Sequence, residues 1–146
     1  MGDTKRIMVT GAAGQIGSEL TLALRERYGA ENVLATGHRT KPGEALLSSG
    51  PFEFIDVTQR ETIEKVVKKY DIDTIYHLSA LLSAVGEQNP QRCWDVNING
   101  LYNVLEIARE HGLTRVFCPS SIAVFGPDTP HDNTPQETIL CPTTMY

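Results

Sequence analysis

Three glycines set three residues apart, Gly11, Gly14 and Gly17, follow directly on the run Lys5-Arg6-Ile7-Met8-Val9-Thr10. That run is apolar and partly β-branched over a strand's length, and it reads as strand one over Lys5–Thr10. Beyond the glycines, Ile16, Leu20, Ala23 and Leu24 fall on one helical face, which places a helix over Gln15–Tyr28. Each glycine has a physical task in such a turn. Gly11 permits a tight exit from the strand, Gly14 has no Cβ to hold a pyrophosphate off the backbone, and Gly17 lets the helix close on the sheet. The helix start adds free N–H groups and the positive end of its dipole. The spacing is GxxGxxG rather than GxGxxG, and a ligand-free βα turn could carry it. The strand before and the helix after favour a dinucleotide site.

The same alternation continues. Asn32–Thr36 reads as strand two, Phe52–Ile55 as strand three, Thr74–Leu78 as strand four and Arg115–Cys118 as strand five. Between the second and third strands, His38–Gly50 holds Pro42, Gly43 and Gly50 and reads as a loop or broken helix. Thr58-Gln59-Arg60-Glu61 has the capping-box pattern and opens a helix through Ile63, Val66, Val67 and Tyr70. Pro90 suits a first helical turn, and that helix runs through Val96, Leu101, Val104, Leu105 and Ala108 to about His111, with Gly112 as its stop. The stretch from Pro119 to Tyr146 has no clear periodicity. Strands joined by helices imply an α/β fold: a Rossmann-like, doubly wound parallel sheet, here reaching about five strands.

Composition excludes several roles. With 13 basic against 18 acidic residues the formal charge is −5, and no basic cluster marks a nucleic-acid partner. No apolar run approaches the roughly 20 residues of a membrane span, and residues 1–5 carry no apolar leader. Cys93, Cys118 and Cys141 are odd in number and far apart, which fits free thiols in the cytoplasm and no metal site. Cys93 and Cys118 read as small core residues.

In a parallel sheet of this kind ligands lie beyond the carboxyl ends of the strands. Strand two offers Gly37-His38-Arg39 where an acidic ribose reader is expected. A missing carboxylate removes repulsion toward a 2′-phosphate, and Arg39 either pairs with one or is a solvated loop residue. Strand three ends in Asp56-Val57, an acceptor for an adenine amine with an apolar neighbour, or simply the start of the next helix. After strand four, Leu78-Ser79-Ala80 are mostly small and let a cofactor ribose lie against the backbone, while His77 reads as a packed strand histidine rather than a base. Asn97 shares a helix face with Leu101, Val104 and Ala108 and needs a partner, most simply backbone or water near strand four.

The pieces TGAAGQIG, Asp56-Val57, HLSA, the Asn97 helix, PSSIAVFG and a tyrosine 25 residues after Ser121 together resemble the extended short-chain dehydrogenase/reductase family, which includes sugar-nucleotide epimerases. ALLSAVGEQNP, DVNINGLYNVLEIA and the stretch from Pro119 to Tyr146 are most similar to its L-threonine 3-dehydrogenase branch. The resemblance implies oxidation of L-threonine at C3 to 2-amino-3-ketobutyrate by the parent enzyme, with NAD as cofactor and NADP possible. A nucleotide-sugar epimerase or dehydratase, and a dinucleotide-binding unit without catalysis, are the other readings. The resemblance makes Tyr146 the general base and Ser121 the partner of the reacting oxygen, with Ser83 a further substrate contact and Thr143 and Thr144 weaker ones. Its cofactor set is Gly11, Gly14, Gln15, Ile16, Gly17, Arg39, Asp56, Val57, Leu78, Ser79, Ala80, Asn97 and Pro119. It also implies a small-molecule substrate and a homodimeric parent. Two departures stand out. The acid after strand two is replaced by Gly37, and the lysine expected four residues beyond the tyrosine would follow the last residue here. Residues 1–146 therefore read as the N-terminal, NAD(P)-binding Rossmann domain of a longer enzyme whose substrate lobe is absent, expected to be inactive alone.

Overall fold

Alternate residues of each inner strand serve two different cores. In β1 (Ile7–Thr10) Ile7 and Val9 pack on one side and Met8 on the other; in β2 (Val33–Gly37) Val33 and Ala35 oppose Leu34. A strand buried on both faces needs a helix layer on each. α1 (Gln15–Tyr28) and α2 (Glu44–Ser48) cover one face, where Leu24 and Leu46 join the Ile7 cluster. α3 (Arg60–Tyr70) and α6 (Gly100–Glu110) cover the other, where Ile63, Val66, Val67, Val104 and Ile107 join Met8. With β3 (Phe52–Phe54), β4 (Thr74–His77) and β5 (Arg115–Phe117), all pairings are parallel and the order is β3-β2-β1-β4-β5. The coordinates, a computed structural model, describe residues 6–146, so Lys5 of the expected first strand lies outside them. The expected doubly wound parallel sheet is the fold observed.

Four local differences from the sequence reading have physical causes. The inner face of α1 is Gly17, Thr21, Leu24 and Arg25; Ile16 is 70% exposed and Ala23 is exposed. A Cβ on Gly17 would stand 2.2 Å from the Gly11 carbonyl oxygen, so the helix can approach the turn only with Gly17 inward, and Ile16 then projects outward. Thr58 does not cap α3: Gln59 is the N-cap, without a side-chain bond, and Thr58 donates from N (3.0 Å) and Oγ1 (2.7 Å) to Asp56 Oδ1. The expected single helix from Pro90 is three pieces: α5 (Pro90–Trp94), a π turn over Asp95–Asn99, and α6. A further short helix, α4 (Ser83–Gln88), precedes it.

Cys93 is buried as expected, whereas Cys118 is exposed because it follows the outermost strand. Beyond β5 the chain forms a 3-10 turn over Ile122–Val124 and a loop held by Thr129, whose hydroxyl accepts from Gly126 N (3.2 Å) and donates to Ile139 O (2.6 Å). Among the described residues no helix is long and apolar enough to cross a membrane, and no cluster of three His, Cys, Asp or Glu could hold a metal.

Candidate functional site

All five strands point their carboxyl ends to one edge, and two cavities open there. The first, about 600 Å³, is lined by Gly11, Gly14, the segment Gly37–Thr40, Asp56, Val57, Leu78–Leu81, Arg92 and the π-turn residues Asp95, Val96 and Asn99. The second, about 540 Å³, is lined by Gly11, Gly14–Gly17, His77–Ala80, Leu82, Asn97, Leu101, Cys118–Ser121 and Tyr146. Their shared wall is Gly11, Gly14, Leu78, Ser79 and Ala80. The cleft therefore extends to both sides of the glycine turn, as an elongated two-part ligand requires.

The turn is built by close backbone approach. Gly11 has φ +67°, and a Cβ there would lie 2.8 Å from the Leu78 carbonyl carbon. Gly14 differs: its φ is −81° and an added Cβ would meet only the Gly11 oxygen, at 3.2 Å. The fold demands glycine at 11 and 17; at 14 an added Cβ would meet one backbone atom tightly, and the bare backbone there faces both cavities. α1 begins with no capping side chain and no acidic residue in its first turn, leaving its positive end to a charge from outside. This is a cradle that fits a dinucleotide's phosphates.

Sequence reasoning missed Thr10 as the joint between β1 and β4. Its Oγ1 accepts from Leu78 N (3.1 Å) and Ser79 N (3.2 Å) and lies 2.9 Å from His77 Nδ1. Leu78 N also bonds the Thr10 backbone oxygen (3.2 Å), and the other ring nitrogen, Nε2, is buried without a hydrogen-bond partner. Burial pushes the His77 pKa down to about 4. His77 is thus a packed strand residue, as expected from the sequence. Asn97 grips the same strap from the other side: Oδ1 accepts from Leu81 N (2.8 Å) and Nδ2 donates to Leu81 O (3.0 Å). The π turn is what aims it there, a signal invisible to a 3.6-residue period.

At the first cavity Asp56 is already engaged. Oδ2 lies 3.3 Å from His38 Nε2, and the Thr58 bonds with the nearby His38 and Arg92 hold its pKa below the usual carboxylate range against the opposing effect of burial, the largest single influence. His38 and Arg92 were not singled out from the sequence; only the structure brings them to Asp56. Arg39 lines the same wall and is exposed.

At the second cavity, Ser121 Oγ accepts from Ala123 N (3.1 Å) as the cap of the 3-10 turn, which leaves its proton free to donate. Tyr146 lines the same cavity, and the preceding residue is tied down by a bond from Met145 N to Glu87 Oε1 (2.6 Å). Every residue of the expected site lines one of the two cavities except Ser83, which starts α4 and lines neither. Thr143 and Thr144 are also outside both.

The comparisons with known proteins agree with this geometry. The model of the NAD dependent epimerase/dehydratase family matches residues 7–146. A curated relative from Staphylococcus saprophyticus, an uncharacterised epimerase/dehydratase, is 51% identical over 97% of this chain and 44% of its own length. Among solved structures, the L-threonine dehydrogenase of Clostridium difficile superposes with TM-score 0.92 at 51% identity, over 97% of this chain and 44% of that one. A monomeric L-threonine 3-dehydrogenase from a metagenome gives TM-score 0.88 at 48% identity, over 96% of this chain and 44% of that one; the expected homodimer gains no support from it. The chain thus spans under half the length of the relatives it matches. With the matched family model running from the first strand to Tyr146, the chain belongs to the NAD-dependent epimerase/dehydratase family.

Proposed function

We propose that these residues form the cofactor-binding and proton-transfer part of an NAD-dependent L-threonine 3-dehydrogenase. The observation that carries the reading is the placement of Ser121 and Tyr146 in a cavity whose wall is the glycine turn. A hydride acceptor lying along that turn would end beside both hydroxyls. The bound nicotinamide supplies the acceptor for the C3 hydride of the substrate. The chain does the rest. Gly14 and the start of α1 hold the phosphates, Thr10 and Asn97 fix the strap from Leu78 to Leu81 against which the ribose rests, Ser121 donates to the substrate's C3 oxygen, and Tyr146 takes the hydroxyl proton as the C–H bond breaks. A phenol of ordinary pKa near 10 is a weak base at neutral pH, so the reaction calls for a cation beside Tyr146. The likeness to L-threonine dehydrogenases at about half sequence identity supports threonine as the substrate. The second reading, a nucleotide-sugar epimerase or dehydratase, is favoured by the family description and by the curated relative.

The test is cofactor reduction, followed at 340 nm, by the polypeptide expressed from its complete gene. L-threonine is expected to reduce the nicotinamide and UDP-galactose to be left unchanged. Conversion of the sugar nucleotide with no oxidation of threonine would establish the second reading instead. Cofactor binding with neither reaction would leave only a dinucleotide-binding unit.

A further inference from the structure

The crossover from β2 to β3 begins with the cavity wall Gly37–Thr40 and contains α2, a helix of five residues. A helix that short has no independent stability. It is held by Arg25, which reaches across from α1. Arg25 is 5% exposed and donates to four oxygens, all neutral: Nε to Val33 O (3.3 Å), Nη1 to Leu46 O (2.6 Å) and Ser49 Oγ (2.7 Å), and Nη2 to Pro51 O (2.5 Å). The guanidinium occupies the room that Gly50 leaves: a Cβ there would stand 2.7 Å from Nε. Burial pulls the Arg25 pKa below that of a free guanidinium. A buried cation facing only carbonyl and hydroxyl oxygens is a costly way to brace a fold that already has two hydrophobic cores. What it braces is specific. The first contact ties the entry to β2, and the other three tie the end of α2 and the entry to β3. The segment between them carries His38, Arg39 and Thr40 into the first cavity.

We infer that Arg25 is a positioning residue for cofactor selectivity: it anchors the far end of the crossover whose near end forms the wall around a cofactor's adenosine ribose. This rests on the dinucleotide reading of the cleft. A 2′-phosphate would gain its contacts from the His38–Thr40 wall, which carries Arg39 and lacks the usual carboxylate because Gly37 stands in its place. NAD, with a bare 2′-hydroxyl, uses that wall far less. Loosening the anchor therefore affects the two cofactors unequally, which a loss of overall stability would not do.

The experiment measures calorimetric dissociation constants for NAD and NADP on wild type, Arg25→Lys and Gly50→Ala. Circular dichroism reports folding, and amide exchange at Leu47, whose N–H bonds Gly43 O (3.2 Å), reports α2. Lysine keeps the charge but cannot span four acceptors. Alanine at 50 displaces the guanidinium without removing it, and decides the matter if the lysine variant fails to fold. In folded variants, exchange at Leu47 is expected to quicken at least tenfold, and the NADP dissociation constant to rise at least fivefold while that for NAD changes less than twofold. An unchanged ratio, or equal weakening of both, overturns the inference. So does a wild type that binds NAD and rejects NADP, since the wall would then have nothing to contact. A wild type that binds neither overturns the cofactor reading itself.

Discussion

Gly17 and Gly14 look alike in sequence, and the structure separates them. An alanine methyl at 17 would stand 2.2 Å from the Gly11 carbonyl oxygen and 2.8 Å from the Ala12 Cα. Both are backbone atoms in a turn already committed to φ +67° at Gly11, so neither can swing aside as a side chain would. Relief means moving α1 off the sheet. Overpacking of this kind costs typically 1–3 kcal/mol, here toward or beyond the upper end. The exchange of a helical glycine for alanine returns up to about 1 kcal/mol. The net loss for Gly17→Ala is about 2 kcal/mol, which for a domain of this size lowers the melting midpoint by roughly 4–8 °C. The Cβ of Gly14→Val would meet one atom within 4 Å, the Gly11 oxygen at 3.2 Å, at an extended N-cap with φ −81°. Its effect on stability is about 1 kcal/mol or less, from the poorer cap. Its side chain instead fills the space where phosphates would approach, and NAD binding is expected to weaken at least tenfold, about 1.4 kcal/mol. Urea unfolding and calorimetric titration of the two variants check both halves. Equal stability of Gly17→Ala and wild type, or undiminished binding by Gly14→Val, refutes the division of roles.

Gly37→Asp is expected to restore the acidic ribose reader and weaken NADP binding, shifting preference toward NAD; a wild type that already rejects NADP by several hundredfold would show that the absent acid was irrelevant. His77, with a folded pKa of about 4 against 6.5 unfolded, stabilises the fold fully above pH 6.5 and loses that contribution as pH falls toward 4, because the unfolded chain then binds the proton more readily. Between pH 7 and pH 5 this amounts to about 2 kcal/mol. Urea unfolding at the two pH values should show a loss that much larger in wild type than in His77→Gln, and parallel losses would refute the assignment of the buried neutral imidazole.

The sheet was legible because its strands are short apolar runs ending in turn residues, and the start of α1 follows from the glycine turn; in the structure Gly29, at φ +92°, ends the helix. Asn97 was legible too, since an amide on an otherwise apolar face must find a partner, and it does so on Leu81. The misses have separate causes, and none of them leaves a mark on a helix or strand period. The rotation of α1 that exposes Ile16 is set by the Gly17–Gly11 approach, not by the helix's own pattern. Thr58 turns its N–H and hydroxyl to Asp56 Oδ1 two residues back, and α3 starts one residue later, with Gln59 as its N-cap. The π turn adds one residue to a helical turn, and no 3.6-residue template registers it. Arg25 was silent in sequence because a basic residue near the end of an amphipathic helix reads as solvated; only the fold shows four acceptors closing around it.

These contacts also sort the candidate site by what each residue owes to the fold. Gly11, Gly17, Thr10 and Asn97 each have a structural partner that accounts for the residue type, so their identity alone says little about a ligand. Ile16 and Arg39 do not. Ile16 presents a large apolar side chain, 70% exposed, to the rim of the second cavity, and burial in the described fold gives no reason for it. Arg39 is exposed on the wall of the first. Gly14 leaves open a space the backbone does not need. These three lie on opposite sides of the wall shared by the two cavities, or upon it, in the order apolar, bare backbone, cationic. A dinucleotide has a matching order: an apolar ring face, a pyrophosphate that wants unhindered amides, and an adenosine ribose that carries, or lacks, a further phosphate. Burial accounts for neither Ile16 nor Arg39, a single tight contact constrains Gly14, and the order of the three along the cleft is compatible with such a ligand.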